Sequence, residues 1–103
     1  MIRLIACDID GTLLFPWQRE VAPAVLHEIP RLAAKGIRFC PTSGRRLESL
    51  RRLFAPVADE LYYICENGST LYAPGGALLG HIAIPRTDAL TICHDILARP
   101  DCE

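Results

Sequence analysis

Asp8 and Asp10 stand two residues apart, directly after the apolar run Ile2-Arg3-Leu4-Ile5-Ala6-Cys7. Side chains alternate along an extended chain, so an i, i+2 pair can face one side. Two carboxylates held close repel, and one is then either protonated or bound to a cation. Both outcomes are chemically useful. A magnesium ion takes carboxylate oxygen and substrate phosphate together. A protonated Asp10 can give its proton to a leaving alkoxide, and an ionised Asp8 can attack phosphorus to form an acyl phosphate. Gly11 lets the backbone approach closely or turn with positive φ. The competing reading of a bare D-x-D-G is an ordinary acidic turn.

Two more loops carry candidate groups. Ser43-Gly44-Arg45 follows a second apolar run, Ile37 to Cys40, and precedes a helical stripe of Leu47, Leu50, Leu53 and Phe54. Exposed N–H groups at a helix start form an anion site. Ser43 either caps that helix or meets a ligand. Arg45, the arginine nearest the loop, is placed at a phosphate or substrate, while Arg46, Arg51 and Arg52 read as a solvated helix face. Glu66-Asn67-Gly68 ends a third apolar run, Leu61 to Cys65. It reads as a simple turn, or as a loop from which Asn67 donates an amide hydrogen bond.

The elements that must position these loops follow from periodicity. Val25, Ile29, Leu32 and Ala33 recur at helical spacing between Pro23 and Gly36, a first-turn proline and a C-terminal cap. Pro30 lies inside that helix and is expected to bend or break it. Strand, helix, strand, helix, strand implies an α/β layered fold with parallel strands and right-handed crossovers. The first strand is expected to be covered on both faces. Thr70 to Ala73 and Ala77 to Ile84 flank Pro74-Gly75-Gly76 and predict a hairpin. Thr87 and Asp88 are expected to cap a last helix carrying Leu90, Cys93, Ile96 and Leu97. In an open parallel sheet, ligands bind beyond the carboxyl ends of the strands, where all three suspicious loops fall.

Composition narrows the class. The chain has 103 residues, half of them hydrophobic, with 11 basic against 12 acidic side chains and a net charge of -1. This is the balance of one small globular domain, and it calls for neither nucleic acid nor an anionic membrane as partner. No apolar run approaches a membrane span or a signal peptide, so the cytoplasm is expected. The five cysteines show no C-x-x-C spacing and read as small hydrophobes in a reducing compartment. His27, His81 and His94 have no partner at metal-ligand spacing and read as structural or exposed. Phe15-Pro16-Trp17 makes an unusually apolar loop after the acidic turn. It lines the crevice mouth or packs.

The string from Cys7 to Leu14, reading D-x-D-G-T-L from Asp8, resembles the first signature of the haloacid dehalogenase (HAD) superfamily of phosphatases. Ser43-Gly44-Arg45 is similar to the second signature of one branch, and Glu66-Asn67-Gly68 resembles that branch's E-N-G loop. The branch is the Cof-like phosphatases, which insert an α/β cap after the third strand region. The resemblance implies a partial Rossmann-like parallel sheet, β-α-β-α-β, followed by a β-hairpin and the start of the cap. Residues 1–80 would belong to the core domain and 81–103 to the cap. Asp8 would be the nucleophile and Asp10 the general acid, then the base. Asp8 and the main-chain carbonyl of Asp10 would hold magnesium. Ser43 would bind the transferring phosphoryl group, with Gly44, Arg45 and Asn67 beside it. Substrates would be small phosphorylated metabolites, often sugar phosphates.

The chain departs from that pattern. The family requires a phosphate-neutralising lysine and a later acidic loop, whereas the one lysine here, Lys35, sits on the first helix. Asp88, Asp95 and Asp101 lack the loop's pattern. The sequence therefore reads as an N-terminal fragment or truncated frame, with little or no phosphatase activity of its own. Alternatives are a non-catalytic remnant or binding module, self-associating through an exposed sheet edge, and a phosphomutase using the same aspartate.

Overall fold

Strand β1 (Leu4–Asp8) runs parallel to β2 (Arg38–Thr42), in register from Leu4 beside Arg38 to Asp8 beside Thr42. Parallel neighbours require a crossover, which helix α1 (Pro23–Ala34) supplies. A second crossover, α2 (Leu47–Leu53) and a 3-10 turn (Ala55–Glu60), leads to β3 (Tyr63–Cys65), parallel to β2 at Thr42 and Ile64. Strands β4 (Thr70–Tyr72) and β5 (Leu78–His81) then extend the sheet as an antiparallel hairpin. Helix α3 (Arg86–Leu97) follows. The strand order is β1-β2-β3-β4-β5. This computed structural model describes residues 1–102.

Two right-handed crossovers stepping the same way across a sheet place both helices on one face. That face holds the core. Ile9, Ile29, Phe39, Leu50, Phe54 and Tyr63 are buried there, and the Phe39 and Phe54 rings lie 6.1 Å apart. Tyr63 is fully buried and donates its hydroxyl to the Ala58 carbonyl at 2.7 Å, so its polar atom is satisfied.

Several elements differ from expectation. Helix α1 is continuous through Pro30. Packing of Val25, Leu26 and Ile29 against the core holds both halves in line despite the missing N–H. The helix ends at Gly36 as expected, with φ of 77° and paired bonds from Gly36 N–H to Ala33 and from Ile37 N–H to Leu32. Ser43 does not cap α2, which starts four residues later with Arg46 at the N-cap. Nor do Thr87 and Asp88 cap α3, since they lie in its first turn behind Pro85. Arg51 is more than a solvated side chain, because it is partly buried and its Nη2 donates to Asp59 at 2.5 Å. The first strand is covered on one face only. Ile5 and Cys7 pack on the core, while Leu4 is 52% exposed on the other side, near exposed Leu71 and Leu79.

Helix α3 buries no residue. It lengthens the molecule to 53 × 32 × 23 Å, and the radius of gyration is 16.9 Å, against roughly 13 Å for a compact domain of about 100 residues.

Candidate active site

The register that pairs Asp8 with Thr42 and Thr42 with Ile64 brings the three loops together at the carboxyl ends of β1, β2 and β3. Main-chain bonds then stitch them. Ser43 N–H donates to the Ile64 carbonyl at 3.0 Å, Asn67 N–H to the Ser43 carbonyl at 3.1 Å, and Glu66 N–H to the Arg45 carbonyl at 3.1 Å. A hollow of about 260 Å³ opens between them, lined by Asp8, Thr42, Ser43, Ile64, Asn67 and Gly68. A larger groove of about 560 Å³ between α1 and α2 contains neither Asp8 nor Asp10. Its size therefore does not mark it as the place of chemistry.

Asp8 is exposed at the end of β1, and Thr12 Oγ1 donates to its Oδ2 at 3.0 Å. One hydrogen bond orients the carboxylate and leaves its other oxygen free of protein donors. Thr12 was legible only as part of the D-x-D-G-T string, because a threonine four residues on does not by itself announce a carboxylate partner.

Asp10 resolves the repulsion between the two carboxylates by taking a cation from within the chain. Arg45 Nε donates to Oδ2 at 2.8 Å and Nη2 donates to Oδ1 at 2.7 Å, a bidentate pair. These bonds hold the Asp10 carboxyl below the usual carboxylate range, against a smaller opposing effect of desolvation. Arg45 Nη1 also donates to Ser49 Oγ at 3.2 Å, which fixes the guanidinium from α2. Ser49 was not singled out from sequence, since it reads as one more polar residue on a helix. In this structure Arg45 therefore faces Asp10.

Ser43 is 6% exposed. Its Oγ accepts the Arg45 N–H at 3.1 Å and lies 3.4 Å from Asp10 Oδ2. Gly44 has a steric reason. A Cβ there would stand 3.0 Å from Asn67 Oδ1 and 3.3 Å from Nδ2, so the Asn67 carboxamide lies where a side chain at 44 would be. Glu66, Asn67 and Gly68 all have positive φ, at 51°, 56° and 94°. Glycine and asparagine accept this conformation readily, and Glu66 is held in it by the bond to Arg45. Its carboxylate accepts the Thr70 hydroxyl at 3.3 Å.

The cysteines and histidines stay outside this arrangement. All five thiols are free, with Cys40 and Cys65 buried. Burial pushes the Cys40 thiol up and the Cys65 thiol to about 11, so neither is a nucleophile at neutral pH. The three histidines are exposed. Phe15 and Trp17 stack on each other with ring centroids 5.2 Å apart, and Trp17 is 79% exposed.

The donor set beside Asp8 suits a hard cation. The Asp8 carboxylate and the Asp10 main-chain carbonyl are oxygen ligands of the kind magnesium prefers. No described backbone or side-chain donor occupies that carbonyl. Among the described residues no cluster of three or more His, Cys, Asp or Glu side chains forms a metal-ligand set. The chain thus fits two ligands of a magnesium site.

An acidic loop, a serine loop and an asparagine turn thus share the carboxyl end of the three parallel strands of an α/β fold. The haloacid dehalogenase-like hydrolase family model matches residues 5–102, and this chain belongs to that family. It is 37% identical over 79 residues to the HMP-PP phosphatase of Cronobacter sakazakii, covering 77% of this chain and 29% of that protein. It is 28% identical over 102 residues to the 5-amino-6-(5-phospho-D-ribitylamino)uracil phosphatase YbjI of Escherichia coli, covering 99% of this chain and 37% of that protein. The chain therefore spans about a third of the length of these curated relatives. Among solved structures, one from Eubacterium rectale superposes with a TM-score of 0.86 at 34% identity, covering 94% of this chain and 36% of that one. A haloacid dehalogenase-like hydrolase from B. subtilis gives a TM-score of 0.83 at 27% identity, covering 94% of this chain and 34% of that one.

Proposed function

We propose that this chain carries the nucleophile-bearing part of a magnesium-dependent phosphomonoester hydrolase acting on small phosphorylated metabolites. The observation that carries the reading is the shared hollow, which Asp8, Ser43 and Asn67 line together. Asp8 attacks phosphorus, and the bond from phosphorus to the leaving oxygen breaks. Asp10 gives that oxygen a proton. Asp10 then takes a proton from water, which attacks the phospho-aspartate and releases inorganic phosphate. Ser43 and the Asn67 amide hold phosphoryl oxygens, Gly44 leaves room for Asn67, and Arg45 orients Asp10. Asp8 and the Asp10 carbonyl would hold magnesium, which would supply positive charge to the phosphoryl oxygens.

Asp10 must be protonated for the first step, whereas Arg45 favours its ionised form. An arriving phosphate dianion alters this balance. It competes for the guanidinium and places negative charge near Asp10, and both effects raise that carboxyl's proton affinity.

Steady-state turnover by the chain alone is expected to be small. Lys35 lies at the C-terminal end of α1, which an antiparallel crossover puts at the opposite end of the sheet from Asp8. The direct test is a single phosphorylation. Incubation with acetyl phosphate and magnesium should add one phosphoryl group, seen by intact mass and removed by hydroxylamine. Asp8→Asn should show none. An unmodified wild-type chain, or equal labelling of Asp8→Asn, overturns the reading.

We further propose that the chain divides near residue 80 into core and cap portions. The described residues contain no helix long and apolar enough to cross a membrane, and five free thiols suit a reducing compartment such as the cytoplasm. The bare sheet face and the β1 edge support a second reading, self-association.

A further inference from the structure

The groove of about 560 Å³ between α1 and α2 falls within the roughly 300–1,000 Å³ typical of small-molecule sites. Its apolar lining includes Val21, Leu26 and Leu53. Val21 is part of the core, and the two leucines pack against it half-buried, so this side of the groove is held in place. Arg19 lines the groove from the loop before α1, and Arg52 lines it from α2.

Both guanidiniums are uncommitted. Among the described residues the arginine ion pairs belong to Arg31, Arg45 and Arg51, and neither Arg19 nor Arg52 forms one. Glu48, one helical turn before Arg52 on α2, does not pair with it. Arg45 also lines the groove, but its charge is held by Asp10 and its Nη1 by Ser49. The start of α1 adds to the positive side. Ala22 gives it no side-chain cap, and its first turn holds no acidic residue. Glu20 is the single opposing charge on the lining. Two free guanidiniums against one carboxylate leave one net positive charge beside an apolar wall.

We infer that this groove is a binding site for a small organic monocarboxylate, separate from the hollow beside Asp8. The carboxylate accepts charge-assisted hydrogen bonds from Arg19 and Arg52, and the hydrocarbon body covers Val21, Leu26 and Leu53. Charge balance selects a monoanion, because Glu20 repels the second charge of a phosphate monoester. The apolar wall selects against a bare inorganic ion, which has no hydrocarbon to bury there. The inference does not rest on the phosphatase reading, since neither Asp8 nor Asp10 lines the groove.

The experiment titrates the chain with hexanoate by calorimetry at low ionic strength, beside acetate and the uncharged hexanamide. Hexanoate should bind saturably and about tenfold or more tightly than either comparison probe, since acetate lacks the apolar body and hexanamide lacks the charge. Arg19→Gln combined with Arg52→Gln should weaken hexanoate by about tenfold to a hundredfold. Glu20→Gln should tighten it by about twofold to fivefold, a gain that misfolding does not produce. Inorganic phosphate with magnesium, at matched ionic strength, should leave hexanoate affinity unchanged, as should Asp8→Asn. Absence of hexanoate binding, equal affinity for hexanoate and hexanamide, binding that survives the double substitution, or a Glu20→Gln chain that binds no tighter overturns the inference. Displacement of hexanoate by phosphate also overturns it, because the carboxylate then lies in the hollow beside Asp8. Labelling by acetyl phosphate tests the phosphatase reading separately, so either can fail alone.

Discussion

Arg45 and Asp10 show how one contact can set the charge state of a carboxylate. Their pair is partly exposed, with side chains 34% and 52% accessible, so it adds no more than about 1 kcal/mol to stability. Its sign with pH follows from the lowered Asp10 carboxyl. The stabilisation is complete above the ordinary aspartate pKa of about 4 and is lost as pH falls through the lower folded-state value. Arg45→Met should therefore be less stable than wild type at pH 7 by less than about 1 kcal/mol, with the difference shrinking below about pH 4. Urea unfolding at the two pH values measures this, and a gap that widens in acid contradicts the pairing. Tyr63 behaves oppositely. Burial pushes its hydroxyl up to about 12, so stability should fall as pH rises from about 10, where the unfolded chain begins to ionise. Tyr63→Phe should cost about 1 kcal/mol at neutral pH through the lost bond to Ala58. It should also flatten that alkaline decline.

At the scale of elements, α1 and the asparagine turn are the informative pieces. Pro30 lacks the N–H that would reach the Leu26 carbonyl, yet α1 continues past it. Pro30 is exposed, so Pro30→Ala restores a bond without disturbing the core. It should raise stability by about 1–3 kcal/mol, read from the urea midpoint at constant m-value; an unchanged midpoint means the helix has already absorbed the cost. In the turn, Asn67 sits at φ 56° and ψ 34°. Asn67→Gly should fold normally, whereas Asn67→Val should lose about 1–2 kcal/mol, since a β-branched residue resists that conformation. Phosphate binding separates the roles, because Asn67→Gly keeps the backbone and removes the amide. If it binds phosphate as wild type does, the side chain has no part in the site.

Across the whole molecule, one sheet face is packed and the other is open. Leu4 is 52%, Leu71 37% and Leu79 55% exposed, beside Arg3 and Arg38 at the margin of a hollow of about 440 Å³. Apolar surface of this kind favours association. Sedimentation velocity should show a concentration-dependent shift to larger species, and Leu4→Glu with Leu79→Glu should reduce it. A single monomeric species at every concentration rules self-association out. Open surface also limits stability, since the core draws on one side of the sheet alone.

The family and its loops were legible in the sequence because they are written in short strings. D-x-D-G-T-L, S-G-R and E-N-G named the loops, the apolar runs named the strands, and Gly36 marked the end of α1. Alternating strands and helices implied parallel strands, and their common direction puts all three loops at one end. Distances across the chain were a different matter. Whether Arg45 turns to a ligand or to Asp10, whether Ser43 caps a helix or faces the crevice, and why position 44 has no side chain all depend on separations of about 3 Å between residues more than 20 apart in sequence. Periodicity constrains which face a side chain takes on its own element. Only the packed sheet decides what stands opposite it, and so only the tertiary structure placed Arg45 on Asp10 and left Leu4 in water.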